Sequence, residues 1–428
     1  MKKLSEYTKA ELIQRKEELQ AAYCEFQNRN LHLDLSRGKP EKRQLELSMP
    51  MLDLVGKDEW YSEEGLDCRN YGGFEGLAEV RRLFGELLGV PEELVFPGGN
   101  SSLSMIHDAI SRAFLFGPLP GFTPWSKLPE VKFICPVPGY DWHFHTCEDF
   151  GIEMLSVETG ENGPDMDQIE ELVKDPSVKG MICVPMYGNP SGVTYSDEVV
   201  ERLAAMKTAA PDFRIIWDNA YCVHHLYEEE EKRDHLANIY EACRKYGHED
   251  RVLMFTSTSK ITFAGAGICA MACSPANRKE AMRVIFYQLV CYDKMNQLRH
   301  ARFLPDKNAV ELHMRKQAAI LRPKFERVEN ILEEKIRPLE IGEWHNPRGG
   351  YFICYYAMPG TAKRIVQLCR EAGVTLTPAG AAYPYDVDPK DSAIRIAPSY
   401  APMEELNQVM ELFPVAAELA AVEKLLQK

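Results

Sequence analysis

Between Lys132 and Cys273, short apolar runs alternate with stretches whose apolar residues recur at helical spacing. The runs 132–137, 152–158, 179–186, 213–218, 252–256 and 267–273 predict strands, with helices between them at positions such as 166–174 and 196–208. This alternation predicts an α/β fold with a mostly parallel, doubly wound sheet covered on both faces. Upstream, Glu, Lys, Gln and Ala dominate 3–30 and predict a helix; a brief alternation over 31–35 then enters the turn Ser36-Arg37-Gly38-Lys39-Pro40. Helical spacing returns at 76–89 and 101–115 and dominates from about 276 to 336. A second mixed region begins at Ile341, with strands expected at 351–356 and 393–397 and helices at 361–372 and 403–427. Neither an internal repeat nor a low-complexity linker interrupts the chain. The expected division is a large domain over 48–310, a smaller α+β domain over 311–428, and a segment, 1–47, joining the smaller one.

Composition narrows the class. A chain of 428 residues with 45% hydrophobic and 27% charged residues has the balance of a globular protein. A net charge of −14 disfavours nucleic acid, whose phosphates need a basic field, but leaves small anions open because a few local donors can bind them. The opening Met1-Lys2-Lys3-Leu4-Ser5-Glu6 has no apolar stretch behind it, so no signal peptide is expected, and no run approaches the ~20 apolar residues of a membrane span. The twelve cysteines are scattered. Cys269 and Cys273 have no second pair with which to complete a zinc site. Free thiols in a reducing cytoplasm are the expectation.

Ligands of an open parallel sheet bind beyond the carboxyl ends of its strands. The polar residues at those ends are Tyr140, Asn189, Asp218 with Tyr221, and Ser257 with Lys260. A separate turn, Gly98-Gly99-Asn100-Ser101-Ser102, opens a helix and offers N–H groups and hydroxyls to an anion. Together these residues form the donor set pyridoxal phosphate requires. Lys260 can form a Schiff base and move a proton, and Asp218 can pair with the pyridine nitrogen. Tyr221 and Asn189 can bond the ring hydroxyl, Tyr140 can stack on the ring, and Gly99, Asn100, Ser101, Ser102 and Ser257 can hold phosphate.

These motifs resemble those of fold-type I aminotransferases of the aspartate aminotransferase superfamily, over nearly the whole chain. Asn189-Pro190-Ser191-Gly192 is similar to the family's Asn-Pro-x-Gly, Asp218-Asn219-Ala220-Tyr221 to its Asp-x-x-Tyr, and Ser257-Thr258-Ser259-Lys260 to its Ser-x-Ser-Lys. The resemblance implies that Tyr71, in Tyr71-Gly72-Gly73-Phe74-Glu75-Gly76, reaches a phosphate in a neighbouring subunit, and hence a homodimer with shared sites. It also implies that Arg395, in Ile394-Arg395-Ile396-Ala397, binds a substrate α-carboxylate beside Gly38. The Ser-Arg-Gly-Lys-Pro turn, Pro138-Gly139-Tyr140-Asp141 and the stretch Lys260 to Gly267 are similar to a divergent bacterial subgroup containing aspartate aminotransferases and MocR-like chains. About thirty residues precede Ser36, too few for the DNA-binding domain of a MocR-type regulator. One departure stands out. Where the family carries an arginine after the lysine, to pair with the phosphate, this chain has Gly265-Ala266-Gly267-Ile268.

Each residue also has a plainer reading. Lys260 alone could be a solvated surface residue, Asp218 a helix cap, Asn189 a turn signal before Pro190, and Ser101 an N-cap. Tyr71 and Tyr140 could simply pack, and Arg395 could form a structural ion pair, although its apolar flanks favour an anionic partner. It is their order at successive strand ends that favours the site. Gly265 to Ala270 lies in the wrong context for a dinucleotide motif, and Cys222, His224 and His225 have no second cluster with which to bind metal. Glu228 to Glu231 reads as a solvated face. The expected reaction is transamination, with L-aspartate and 2-oxoglutarate as the pair. Arg37 is the candidate for the distal carboxylate and Arg348 the weaker one. Another amino donor, or a carbon–sulfur lyase of the same fold, is the alternative.

Overall fold

The computed structural model describes residues 2–427. Its centre is an eight-stranded sheet in the order Val95–Pro97, Cys269–Cys273, Val252–Ser257, Arg214–Asp218, Val178–Cys183, Lys132–Val137, Glu153–Gly160 and Gly163–Pro164. The run from Val252–Ser257 to Glu153–Gly160 pairs in parallel. Every residue of Val178–Cys183, Arg214–Asp218 and Val252–Ser257 is buried, as expected for strands covered on both faces. Helices cover those faces. Ser102–Phe116 packs on Val252–Ser257 and Cys269–Cys273, and Asp197–Ala205 lies against Ile239–Lys245.

Three sequence expectations shift. Cys269–Cys273 runs antiparallel to Val252–Ser257, because only the Thr258–Ile268 turn joins them and a parallel return needs a longer crossover. The strand expected over 179–186 ends at Cys183, where the chain leaves the ladder and turns toward Asn189. At the amino end the expected helix divides into a short turn, Leu4–Glu6, and a helix, Lys9–Asn28, whose start is set by a capping box between Thr8 and Glu11.

A second sheet of three antiparallel strands, Gly342–Trp344, Ile353–Ala357 and Ala393–Ile396, follows the 29-residue helix Lys307–Lys335. The N-terminal segment is built into this region. Leu33–Asp34 pairs in parallel with Val374–Thr375, and Lys9–Asn28 lies along Met403–Leu426, where Arg15 holds Glu418 through two bonds of 2.6 and 2.8 Å. No described helix is long and apolar enough to cross a membrane.

One buried pair ties these pieces together. Lys324 is fully enclosed, and its Nζ donates to Glu41 Oε2 at 2.5 Å and to the Ser399 carbonyl at 3.0 Å. Burial lowers the affinity of the amine for its proton, and Glu41 opposes that effect. The pair anchors the end of the Ser36–Pro40 turn to the long helix and to the loop after Arg395. Lys324→Ala should leave the buried Glu41 carboxylate with only the exposed Arg43 on its other oxygen and reduce unfolding free energy by about 3 kcal/mol in urea titration. The joint change Lys324→Met with Glu41→Leu should cost much less.

Candidate active site

The parallel strands end along one edge, and their terminal residues meet turns from the second sheet around a cavity of about 450 Å³. Its lining includes Ser36, Arg37 and Gly38 from the N-terminal turn, Tyr140 and Asn189 from the sheet edge, Tyr221 and Lys260, and Phe352, Thr377 and Arg395. Sequence residues far apart in the chain are thus brought together.

Lys260 sits at the floor, half-buried, with its Nζ 5.1 Å from the Tyr221 ring centre and 5.9 Å from that of Tyr351. Its backbone carbonyl accepts from the Tyr351 hydroxyl at 3.4 Å and faces His224 Nε2 at the same distance. Loss of water lowers the pKa of this amine. Asp218 pulls it back up, and Arg395 pushes it down further. The amine is therefore easier to deprotonate than an ordinary lysine, as a nucleophile requires.

Asp218 closes the strand Arg214–Asp218 and is almost fully buried. One carboxylate oxygen meets His143 Nε2 at 3.1 Å, while the other, Oδ1, is buried without a hydrogen-bond partner. A buried acceptor left bare costs on the order of 1–3 kcal/mol, so this atom is set to receive a donor. Tyr221, three residues on, is enclosed against Tyr351 with the rings 5.9 Å apart, and burial holds its phenol well above the usual range. Tyr140 precedes the helix Asp141–Asp149, its ring 4.9 Å from that of His143.

Arg395 projects from Ala393–Ile396 over the Phe352 ring, 5.1 Å below. Its Nε donates to Thr377 Oγ1 at 3.1 Å and its Nη2 to the Ser36 carbonyl at 3.4 Å; its Nη1 reaches Asn189 Oδ1 at 3.3 Å and Asp141 Oδ1 at 3.2 Å. Gly38 lies so close to Phe352 that a Cβ there would fall 2.1 Å from the ring, so only glycine fits this turn. Arg37 is exposed at the mouth, without an ion-pair partner among the described residues. Arg348 stands apart from the lining, 4.0 Å from Asp234.

A second feature adjoins Lys260. Ser101 caps the helix Ser102–Phe116 by accepting from the Ser104 N–H, and Ser102 is buried in its first turn. Ser259 Oγ donates to the Asn100 carbonyl at 3.2 Å and Ser257 Oγ to Ser259 Oγ at 3.1 Å. A Cβ on Gly267 would crowd the Ser259 amide at 3.2 Å. Gly99 to Ser102 and Ser257 to Ser259 thus form one polar cradle at a helix N-terminus. Where the family arginine is missing, Ile268 is buried and its N–H donates to Thr258 Oγ1. His300 packs behind, its Nε2 facing Thr258 Oγ1 and Thr262 Oγ1 at 3.1 and 2.9 Å. Burial lowers its pKa to about 4, so it supplies no charge at neutral pH. Tyr71 lies outside this cavity and is 77% exposed.

Four residues that shape the site were missed from the sequence: Asp141, His143, Tyr351 and Thr377. His143 had a usable signal, standing three residues after Tyr140 on one face of the helix that begins there. Nothing in the patterning marked the other three.

The family model described as Aspartate amino-transferase matches residues 7–428. An aspartate aminotransferase of Corynebacterium glutamicum is 46% identical over 407 residues, 95% of this chain and 94% of that one. A crystal structure of an aspartate transaminase from the same species superposes with a TM-score of 0.96 at 44% identity, covering 99% of each chain. LysN, the α-aminoadipate aminotransferase of Thermus thermophilus, complexed with N-(5'-phosphopyridoxyl)-L-leucine, shares the fold. Its TM-score is 0.71 at 20% identity, over 92% of this chain and 93% of that one.

The buried histidine carries a pH signature. Its proton affinity is depressed in the folded state, from the ordinary 6.5 to about 4, so the unfolded chain binds the proton more readily. Stability should therefore fall as pH drops from about 6.5 toward 4, and level off for this group below that. His300→Gln should flatten the slope in this window by up to about 1.4 kcal/mol per pH unit, read from urea titrations at several pH values.

Proposed function

The chain belongs to the aspartate amino-transferase family and is an aminotransferase, and from that premise we propose that it uses pyridoxal phosphate to exchange an amino group between L-aspartate and 2-oxoglutarate. The observation that carries the cofactor is the bare, buried Asp218 Oδ1, an acceptor suited to a protonated pyridine nitrogen. His143 holds the other oxygen and keeps the carboxylate oriented. The remaining donors fit as well. Lys260 would hold the aldehyde carbon, Tyr221 and Asn189 the ring hydroxyl, and Tyr140 a ring face. Gly99, Asn100, Ser101, Ser102 and Ser257 would take the phosphate with neutral donors and a helix N-terminus. The phosphopyridoxyl adduct bound by the Thermus relative supports the same reading. When bound, the cofactor supplies an electron sink for the charge left at the substrate's α carbon.

The chain's own groups do the rest. Arg395, with Gly38 giving access, binds the α-carboxylate and fixes which C–H bond faces the Lys260 amine. Lys260 Nζ, whose hold on a proton is weakened by its surroundings, takes that α proton. Arg37 at the mouth meets the distal carboxylate of aspartate or 2-oxoglutarate. Tyr71, exposed with Phe286 and Tyr287, completes the phosphate cradle of a second copy in a homodimer. Residues 48–310 form the cofactor-binding domain; 311–428, joined by 1–47, form the smaller one. The working compartment is the cytoplasm.

A panel of amino donors with 2-oxoglutarate, the cofactor spectrum followed in each half-reaction, tests this reading. Aspartate should lead the panel, and turnover without a keto acid would point to a lyase instead. Lys260→Ala should lose at least about 10²-fold in turnover, the lower range for removing a positioned base. Arg37→Ala should raise KM for aspartate about tenfold or more and leave alanine nearly unaffected. Equal losses for both would refute the distal-carboxylate role.

A further inference from the structure

We propose that Asp141 is a built-in counter-anion for Arg395, occupying the arginine in the free enzyme and yielding it when a substrate carboxylate arrives. On this view Asp141 sets substrate affinity. The inference rests on the proposed role of Arg395 as the α-carboxylate site.

The guanidinium of Arg395 has four protein acceptors, and three are neutral. Thr377 Oγ1, the Ser36 carbonyl and Asn189 Oδ1 come from three separate segments, and the group stands over the Phe352 ring, 5.1 Å from its centre. These contacts already fix its plane and direction. The fourth acceptor, Asp141 Oδ1 at 3.2 Å, is the only charged one, and it is superfluous to positioning. Its charge has another effect. A substrate carboxylate must share Nη1 with an anion already there or drive that anion off, and two carboxylates on one guanidinium repel each other at short range.

The geometry allows the displacement. Among the described residues the Asp141 side chain has no hydrogen-bond partner besides Arg395. It is the first residue of the helix Asp141–Asp149, where the exposed N–H groups favour a negative charge even after its side chain has swung away from Arg395. It lines the cavity beside Trp142, which is 61% exposed, so a path toward water lies open. Asp141 thus acts on the substrate only through its charge on Arg395, in contrast to Asn189, whose neutral oxygen can stay beside a bound carboxylate. It weakens the amino acid and the keto acid alike, because both present the same α-carboxylate. Such a uniform loss of binding raises KM with little effect on the chemical step.

The test is Asp141→Asn in the holoenzyme, which removes the charge and keeps the shape, with Asp141→Ser as a second variant and thermal unfolding as a check on folding. KM for aspartate, alanine and 2-oxoglutarate, and the Kd of maleate as a non-reacting dicarboxylate, would be measured for both, with Arg395→Lys alongside. The expected result is a fall of about tenfold in each KM and in the maleate Kd, with kcat moving far less. Unchanged or raised values in both variants would overturn the proposal, the second by making Asp141 a simple orienter of Arg395. If Arg395→Lys left KM and Kd at their starting values, the carboxylate role of Arg395 itself would fail, an outcome separable from the first two.

Discussion

A lysine amine at the floor of the cavity, partly shielded from water, governs the arrangement of this protein. Desolvation of Lys260 is tolerable only because the surrounding groups are arranged around it: a carboxylate, Asp218, within electrostatic reach, two tyrosine rings against the amine, and a backbone carbonyl tethered by Tyr351. Each of these is supported in turn. Asp218 is steadied by His143, and Tyr351 shares its hydroxyl with Gln44, which is held by Gln317 of the long helix. The reactive position is thus stiffened from both sides of the cavity by contacts between segments distant in sequence.

The same cavity depends on a division of labour between two sheets. The large one offers its carboxyl edge, where a carboxylate, amides and a helix N-terminus can meet a flat, anionic cofactor. The small one, with the N-terminal turn, contributes Arg395, Gly38 and Arg37, the groups that suit carboxylates of exchangeable substrates. Their meeting is enforced by Lys324 and Glu41, a buried pair whose loss would disturb the turn and the Arg395 loop together. The stretch 265–268, beside the polar cradle and without an arginine, is the departure from the family pattern. With Ile268 committed to the core and His300 neutral, described side chains of this chain leave that cradle to hydroxyls and backbone N–H groups.

Much of the fold was legible because strands buried on both faces read as near-continuous apolar runs, as 252–255 and 215–217 do. What patterning hid has identifiable causes. The helix Asp141–Asp149 is rich in Asp, His, Glu and Thr, with only His143, Phe144 and Cys147 buried, so its apolar stripe is too thin to register. Strand direction at Cys269–Cys273 depends on the short Thr258–Ile268 connection, which periodicity does not report. In the site, Lys260, Tyr221, Asn189 and Arg395 stood out by motif and line one cavity, with Asp218, also marked by motif, within electrostatic reach of Lys260. Thr377 did not stand out, and Asp141 fell within a motif without a role, because each matters only through a partner more than a dozen residues away.

The two-residue pairing of Leu33–Asp34 with Val374–Thr375, and the packing of Lys9–Asn28 on Met403–Leu426, join the beginning of the chain to its far end. During synthesis the first long helix therefore emerges with its apolar side uncovered, and the surface it needs is made only after the large sheet. The large sheet can assemble in the meantime, since its strands lie within a continuous stretch. The cavity comes later, when loop closure across almost the whole polypeptide brings Gly38 and Arg395 together. An intact cavity is therefore a property of the finished chain, and a nascent fragment that already contains Lys260 still lacks the wall that makes the lysine useful.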